Sequence, residues 1–340
     1  MRSLQNDQRG VAMLLALLTM SFMVVLTVQL ITDVNQQVHE SRSAIHSVQN
    51  QEALMSALAL VQTALFADKQ ENRGDSYLDQ WAHINQETLR TLFGGTELQI
   101  RVADLTGLLQ VNALVQKKQV GTKQNTKDLA KIMEKQRELW LRFLLSGNFV
   151  IEDEEDARTV VDSLCDWLDK DDEPRENGAE SSFYGSLSPG YSAGNHSIIH
   201  LSELALIKGM SNELLYGDEE HDGILKYLTA TGTNGKININ TAPQPVLMAL
   251  ADGITDDMVE AMITFREEKE NHEALDSIDW YKQVDEFPGD ITLDQDLIGI
   301  QSTYFSVDIV SREVTVVQRG SALLERDDKG AQSLLQWHVE

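Results

Sequence analysis

Between Val11 and Ile31 the chain reads VAMLLALLTMSFMVVLTVQLI, 21 residues with no charge and one strongly polar side chain, Gln29. Coiled as a helix, such a run crosses a hydrocarbon core of about 30 Å. A cleaved secretory signal would have a shorter apolar run, then a small-residue cleavage site and a break in the pattern. Here the pattern carries on. Val34, Val38, Ile45, Val48, Met55, Leu58, Val61 and Leu65 recur at helical spacing, and neither Pro nor Gly occurs from Val11 to Arg73. One helix of about 55 residues is expected, roughly 80 Å long, reaching to about residue 66. Arg2 and Arg9 precede the span, whereas Asp33 and Glu40 follow it. That asymmetry places the N-terminus in the cytoplasm and the chain beyond about residue 32 on the other side of the membrane.

Past this helix the pattern changes. Glu97–Ala103 alternates like a strand, Asp104–Gly107 reads as a turn, and Leu108–Asn112 reads as a returning strand. Residues 114–290 are mostly helical in pattern and acidic, and Thr303–Val310, Val314–Arg319 and Ser333–Val339 read as strands again. A hairpin needs a partner surface, so these antiparallel strands are expected to pack on the outer half of the long helix. The fold class is therefore α+β. Residues 67–113 and 291–340 form a helix-plus-sheet domain, and 114–290 form a large inserted helical domain.

The chain holds 28 Lys and Arg against 54 Asp and Glu, a net charge of −26. Phosphate backbones repel such a surface, which argues against nucleic acid. The charge is concentrated. Residues 152–180 carry 13 acids against three bases, and residues 252–308 carry 16 against three. Within the second stretch, Ala249–Val259 echoes Ala205–Leu215: each has a helix end, a Gly, an apolar residue, then Thr255 or Ser211 placed to cap a following helix. The arrangement is that of a helix-hairpin-helix, but its turn, Asp252–Asp257, is acidic and cannot neutralise phosphate.

Enzymatic chemistry finds no foothold. Cys165 sits in an apolar helical pattern as a buried thiol, His196 and His200 have metal-compatible spacing only if their stretch is helical, and no nucleophile, zinc or phosphate-binding motif is present. Trp140, Trp167 and Trp280 are expected in the core. The most informative loop runs from Asp166 to Glu180. Counting from Asp169, carboxylates fall at the first, third and fifth places, Asn177 at the ninth and Glu180 at the twelfth. One loop with that spacing can supply the six to eight oxygens that Ca²⁺ takes. Pro174 at the sixth place excludes an EF-hand backbone, and Asp166 or Asp172 could replace other ligands. The residues alone leave two readings, a cation loop or a solvated acidic loop. Gly217–Gly223 repeats part of the spacing but has Thr229 at the twelfth place.

The short basic leader ending in Arg9-Gly10, followed by Val11-Ala-Met-Leu-Leu15 and a long apolar helix, resembles the type IV pilins and pseudopilins. Most of these carry Glu as the fifth residue after the leader, and this chain has Leu15. The exception matches the K-type minor pseudopilins of type II secretion. The same family is resembled by Ile237-Asn-Ile-Asn-Thr-Ala-Pro243, by the Asp166–Glu180 stretch, and by the large insertion between strands. The resemblance implies a prepilin leader of residues 1–10 cut by prepilin peptidase between Gly10 and Val11, with Val11 N-methylated, and residues 11–31 spanning the inner membrane. It implies a periplasmic bulk and one or two Ca²⁺ ions held by Asp169, Asp171, Asp172, Glu173 and Glu180. It also implies a complex with the I- and J-type minor pseudopilins, capping the pseudopilus tip without catalysis or nucleic-acid binding. A type IV pilus minor pilin and a membrane-anchored helix-hairpin-helix DNA receptor share parts of this layout and are the alternatives.

Overall fold

The structure is a computed structural model and describes residues 8–94, 97–115, 126–313 and 316–340. Most of the leader, residues 1–7, therefore lies outside the described residues. Helix α1 runs from Gln8 to Glu71, five residues beyond the expected end, and closes where Gly74 follows. It is long and apolar enough to cross a membrane. From Val11 to Ile31 its large side chains are all exposed, with no packing partner in the chain. The outer half behaves differently. Asn50, Ala53, Leu54, Ala57, Leu58, Val61 and Leu65 are buried, steps of three and four that put them on one face.

That face lies on an antiparallel sheet in the order β1 (Glu97–Asp104), β6 (Tyr304–Glu313), β7 (Val316–Arg326), β8 (Gln332–Val339). Alternation along β6 sends Phe305, Val307 and Ile309 to the helix, and Leu98, Val102 and Leu324 join them. Trp81 is fully buried here, edge-on to Phe305 with ring centroids 5.3 Å apart. A short helix α2 (Gln86–Phe93) packs on β1. Two expectations change. Val34, Val38 and Ile45 are exposed on turns before those the sheet reaches, whereas Val48 and Met55 are exposed because they lie off the face that turns Asn50, Ala53 and Leu54 to the sheet. The expected strand at Leu108–Asn112 shrinks to β2 (Leu109–Gln110), which leaves the sheet and pairs in parallel with β3 (Leu228–Thr229). Replacing Trp81 by Ala is expected to cost about 3–5 kcal/mol, since it removes a fully buried ring packed on Phe305 and leaves a cavity. A shift in urea midpoint worth less than about 1 kcal/mol would show that this core does not depend on it.

Between β1 and β6 the chain builds a second core. Helices α3 (Thr126–Leu144) and α4 (Glu154–Leu168) pack together, and short helices α5 (Ser181–Gly185), α6 (Asn212–Tyr216) and α7 (Gln244–Met248) lead to α8 (Asp256–Glu267). Trp140, Trp167 and Trp280 are buried in this core, as is Cys165, whose thiol burial pushes up to about 12. Leu109, Val111, Leu293, Leu297 and Ile298 also belong to it, so the packed unit begins before residue 114 and ends after 290. Ser211 and Thr255 cap α6 and α8 as their spacing suggested, accepting from the amides of Leu214 and Met258. His196 and His200 lie outside any helix, so the i, i+4 geometry that would pair them does not form.

The two cores meet at one seam. Strand β4 (Ile237–Asn238) pairs with β5 (Ile298–Gly299), placing the NTAP segment against the end of the sheet. There Asp104, at the last position of β1, is buried and receives hydrogen bonds from Asn238 Nδ2 (3.1 Å), Thr241 Oγ1 (2.5 Å), Ser302 Oγ (2.5 Å) and the amide of Thr106 (2.7 Å). Burial still raises its carboxyl, so four donors only partly replace water. Arg266 from α8 donates to the carbonyls of Ile239 and Ala242 and holds the segment from the other side. Beside it, Arg326 from β7 binds Asp75 and lies 3.4 Å from Asp68 at the end of α1. The NTAP residues thus act as a pin between domains.

A candidate cation site in the inserted domain

Helix α4 is capped by Asp153, which accepts from the amide of Asp156, and its last two turns and C-cap deliver Asp162, Asp166 and Asp169 along one side. The loop that follows folds back over this end. Gly178 makes the return possible: a Cβ there would lie 1.9 Å from Asp166 Oδ2. The return brings Glu180, the residue before α5, beside the start of the loop. One carboxylate oxygen from each of Asp169, Asp171 and Glu180 lies within 4.8 Å of the others.

The electrostatics of this cluster are unbalanced. Asp166 is fully buried, and Arg175 satisfies it through its guanidinium (2.5 Å) and its backbone amide (3.1 Å). The same guanidinium reaches Asp169 Oδ2 at 2.7 Å, and these partners hold it above its ordinary range. That single cation leaves the other side of the loop uncompensated. Glu180 is 1% exposed, and among the described residues neither of its carboxylate oxygens has a hydrogen-bond partner. Asp169 Oδ1 is likewise buried and without a partner. Burial, reinforced by Asp166, Asp169, Asp172 and Asp171, pushes the Glu180 carboxyl up to about 7. A buried carboxylate with no donor is costly, and a cation at the centre of these oxygens removes the cost. The donor set is all oxygen, which suits a hard ion such as Ca²⁺ rather than zinc.

Not every expected ligand converges. Asp172 is exposed, and its Oδ1 accepts from the amide of Ser181 at 3.3 Å. Glu173 is exposed too, and its amide donates to Asp171 Oδ1, leaving its own carboxylate outside the cluster. Asn177 turns away, its amides directed to Asp162. Asn195 is a residue the spacing did not reveal. It holds a positive φ of 50°, donates from Nδ2 to the carbonyl of Asp171 (3.2 Å), and has a buried Oδ1 with no partner. It lies far from the loop in sequence, with no motif to mark it. The second acidic stretch, Gly217–Gly223, keeps its carboxylates for itself: Asp218 accepts from the amides of Glu220 and His221, and Asp222 accepts from Lys226 and Tyr227. Gly10 and Val11 lie exposed in the first turns of α1, and a Cβ on Gly10 would meet no atom within 4 Å. Packing within the chain therefore does not require a glycine there.

Comparison with known proteins places this arrangement. Two models described as type II secretion system protein K match residues 107–217 and 237–308. The chain is 27% identical over 270 residues to type II secretion system protein K of Pseudomonas aeruginosa, covering 76% of this chain and 73% of that one. It is 26% identical over 259 residues to a putative protein K of Escherichia coli K12, covering 74% and 73%. Its fold is similar to a chain in the crystal structure of the GspK-GspI-GspJ complex from enterotoxigenic Escherichia coli, with a TM-score of 0.59 at 17% identity, covering 88% of this chain and 99% of that one. The two family models together span more than half of the residues and include the acidic loop and the NTAP segment, and the chain accordingly belongs to the type II secretion system protein K family, the K-type minor pseudopilins.

Proposed function

We propose that this protein caps the tip of the type II secretion pseudopilus, in complex with the I- and J-type minor pseudopilins, and serves assembly rather than catalysis. The observation that carries the reading is where the insertion is attached. It leaves the sheet after Asp104 and returns at Tyr304, and its seam meets the Asp68–Asp75 end of α1. All of these lie at the end of the helix–sheet module opposite the apolar span. A bulky domain at that end blocks the addition of a further subunit beyond it. Leu15 fits the same role, because a terminal subunit has no neighbour whose amine needs a carboxylate. The solved GspK-GspI-GspJ complex supports the choice of partners.

In this reading Gly10–Val11 is the prepilin peptidase cut, Val11 becomes the N-methylated end, and residues 11–31 anchor the protein in the inner membrane with its bulk in the periplasm. Asp169, Asp171 and Glu180 hold Ca²⁺, with Asp172 and Glu173 of the same loop and Asn195, bonded to the Asp171 carbonyl, available to complete its shell through movement or water. Co-expression with the I- and J-type subunits of the same system tests the assembly. The three are expected to elute as one complex, and recovery of this chain with neither partner would refute the capping role.

A further inference from the structure

We propose that the seam between the helix–sheet module and the inserted domain is a pH-dependent latch, tight while Asp68 carries a proton and looser once it ionises. The seam gathers more buried negative charge than its cations match. Asp68, Asp75, Asp79 and Asp104 are each at most 5% exposed. Among the described residues, Arg326 faces Asp68 and Asp75 from β7, and His272, on the 3-10 segment Lys269–Asp276, meets Asp79 with Nε2 2.7 Å from Oδ1.

The groups around Asp68 come from every element packed there. Its own helix end and the following turn supply Asn72, whose Nδ2 donates to Asp68 Oδ1 at 2.8 Å and to Asp79 Oδ1 at 3.3 Å. The segment after α1 supplies Asp75 and Asp79, β7 supplies Arg326, and the insertion supplies His272 through Asp79. Asp104 on β1 acts through Asp75, and Tyr77 with Arg266 lies one step further, against Asp104. Arg326 is already committed: it binds Asp75, donates to the carbonyls of Leu65 and Ser302, and stacks 4.8 Å over the ring of Phe305. At 3.4 Å it is a poor partner for Asp68. Burial first, then the charge of Asp79, raises the Asp68 carboxyl to about 7, against the opposing bond from Asn72.

The direction follows from linkage. An unfolded or opened seam returns Asp68 to the ordinary carboxylate range near 4, whereas the closed seam keeps the proton up to about 7. Closure therefore takes up a proton between those limits. Its contribution is full on the acid side, falls as pH rises toward 7, and changes no further above it. Asp104, raised in the same sense, adds to the slope without altering its sign.

Hydrogen exchange on the full chain in detergent, with chelator present to silence the cation loop, reads the latch directly. The reporters are the amides of Asp75, bonded to the carbonyl of Ile300 at 2.7 Å, and of Ser302, bonded to Asp75 Oδ2 at 2.7 Å. After correction for intrinsic rates, their opening is expected to rise at least about tenfold between pH 5 and pH 7 and then level off, while amides at the centre of β6 and β7 do not follow. Asp68→Asn is expected to remove most of the rise. A wild-type profile with no such rise, or an Asp68→Asn profile that keeps it, overturns the latch. Should Asp68→Asn fail to fold, Asp79→Asn decides: it removes the like charge that raises Asp68 most and is expected to move the midpoint to lower pH, and an unmoved midpoint overturns the proposal equally.

Discussion

Replacing Arg326 by methionine is expected to destabilise the protein by about 3–5 kcal/mol, because it removes the guanidinium and leaves carboxylates in the same buried volume. The side chain is 2% exposed and links three elements: the carbonyl of Leu65 in α1, Asp75 in the following turn, and the carbonyl of Ser302 before β6. Methionine fills much of the same space and keeps the contact with Phe305, so the loss measures charge and hydrogen bonding rather than volume. The cost falls on the unpaired partners. A triple variant that also carries Asp68→Asn and Asp75→Asn is therefore expected to recover a large part of the stability, since amides can be buried more cheaply than anions. Urea unfolding of the three proteins checks this. A single substitution that costs less than about 1 kcal/mol, or a triple variant no better than the single, would show that the network contributes little.

Calcium is expected to raise the unfolding temperature of the metal-free protein, with a stabilisation near 2.7 kcal/mol when the free ion reaches about a hundredfold its dissociation constant. The reason is local. Among the described residues, Glu180 is buried with both oxygens unpartnered, Asp169 Oδ1 is in the same condition, and the exposed Asp171 stands beside them, so an ion gains ligands that are already gathered and in part desolvated. Glu180→Gln and Asp169→Asn are each expected to abolish the calcium effect. Glu173→Gln is expected to keep most of it, because the Glu173 carboxylate lies outside the cluster while its amide still donates to Asp171. Equal loss in all three variants would restore the ligand set read from spacing alone, and no calcium effect in the parent protein would sink the site altogether.

The contrast between Glu173 and Glu180 shows what residue spacing can and cannot supply. Both are acids in one short loop, and counting places both among the ligands. Which one converges depends on the path of the backbone over Asp166, permitted at Gly178 and anchored by Arg175, a residue that counting carboxylates passes over. Arg175 instead neutralises the inner wall, satisfying Asp166 and one oxygen of Asp169, so the remaining oxygens face a single centre. Asn195 approaches from a segment remote in the chain, and only the fold brings it there. The outer part of α1 carries the same lesson: Val48 and Met55 fit a helical stripe as well as Leu58 and Leu65 do, yet only the second pair lies on the face that packs on the sheet.

By itself the sequence determined the features that depend on near neighbours or on composition. These are the membrane-length helix, the strand alternation at 97–103 and 304–310, the caps at Ser211 and Thr255, the acidic character of the insertion and the family to which the chain belongs. Each is set within a few turns of chain, where periodicity and side-chain chemistry act directly. Only the tertiary structure decided which acids are buried, which are paired and which are left to a cation or a shared proton. The chain's 54 acidic residues look alike along the sequence. In the roles proposed above, Glu180 serves a cation cluster, Asp68 a latch and Glu173 the solvated surface, according to how far folding removes each from water and which donors it places opposite.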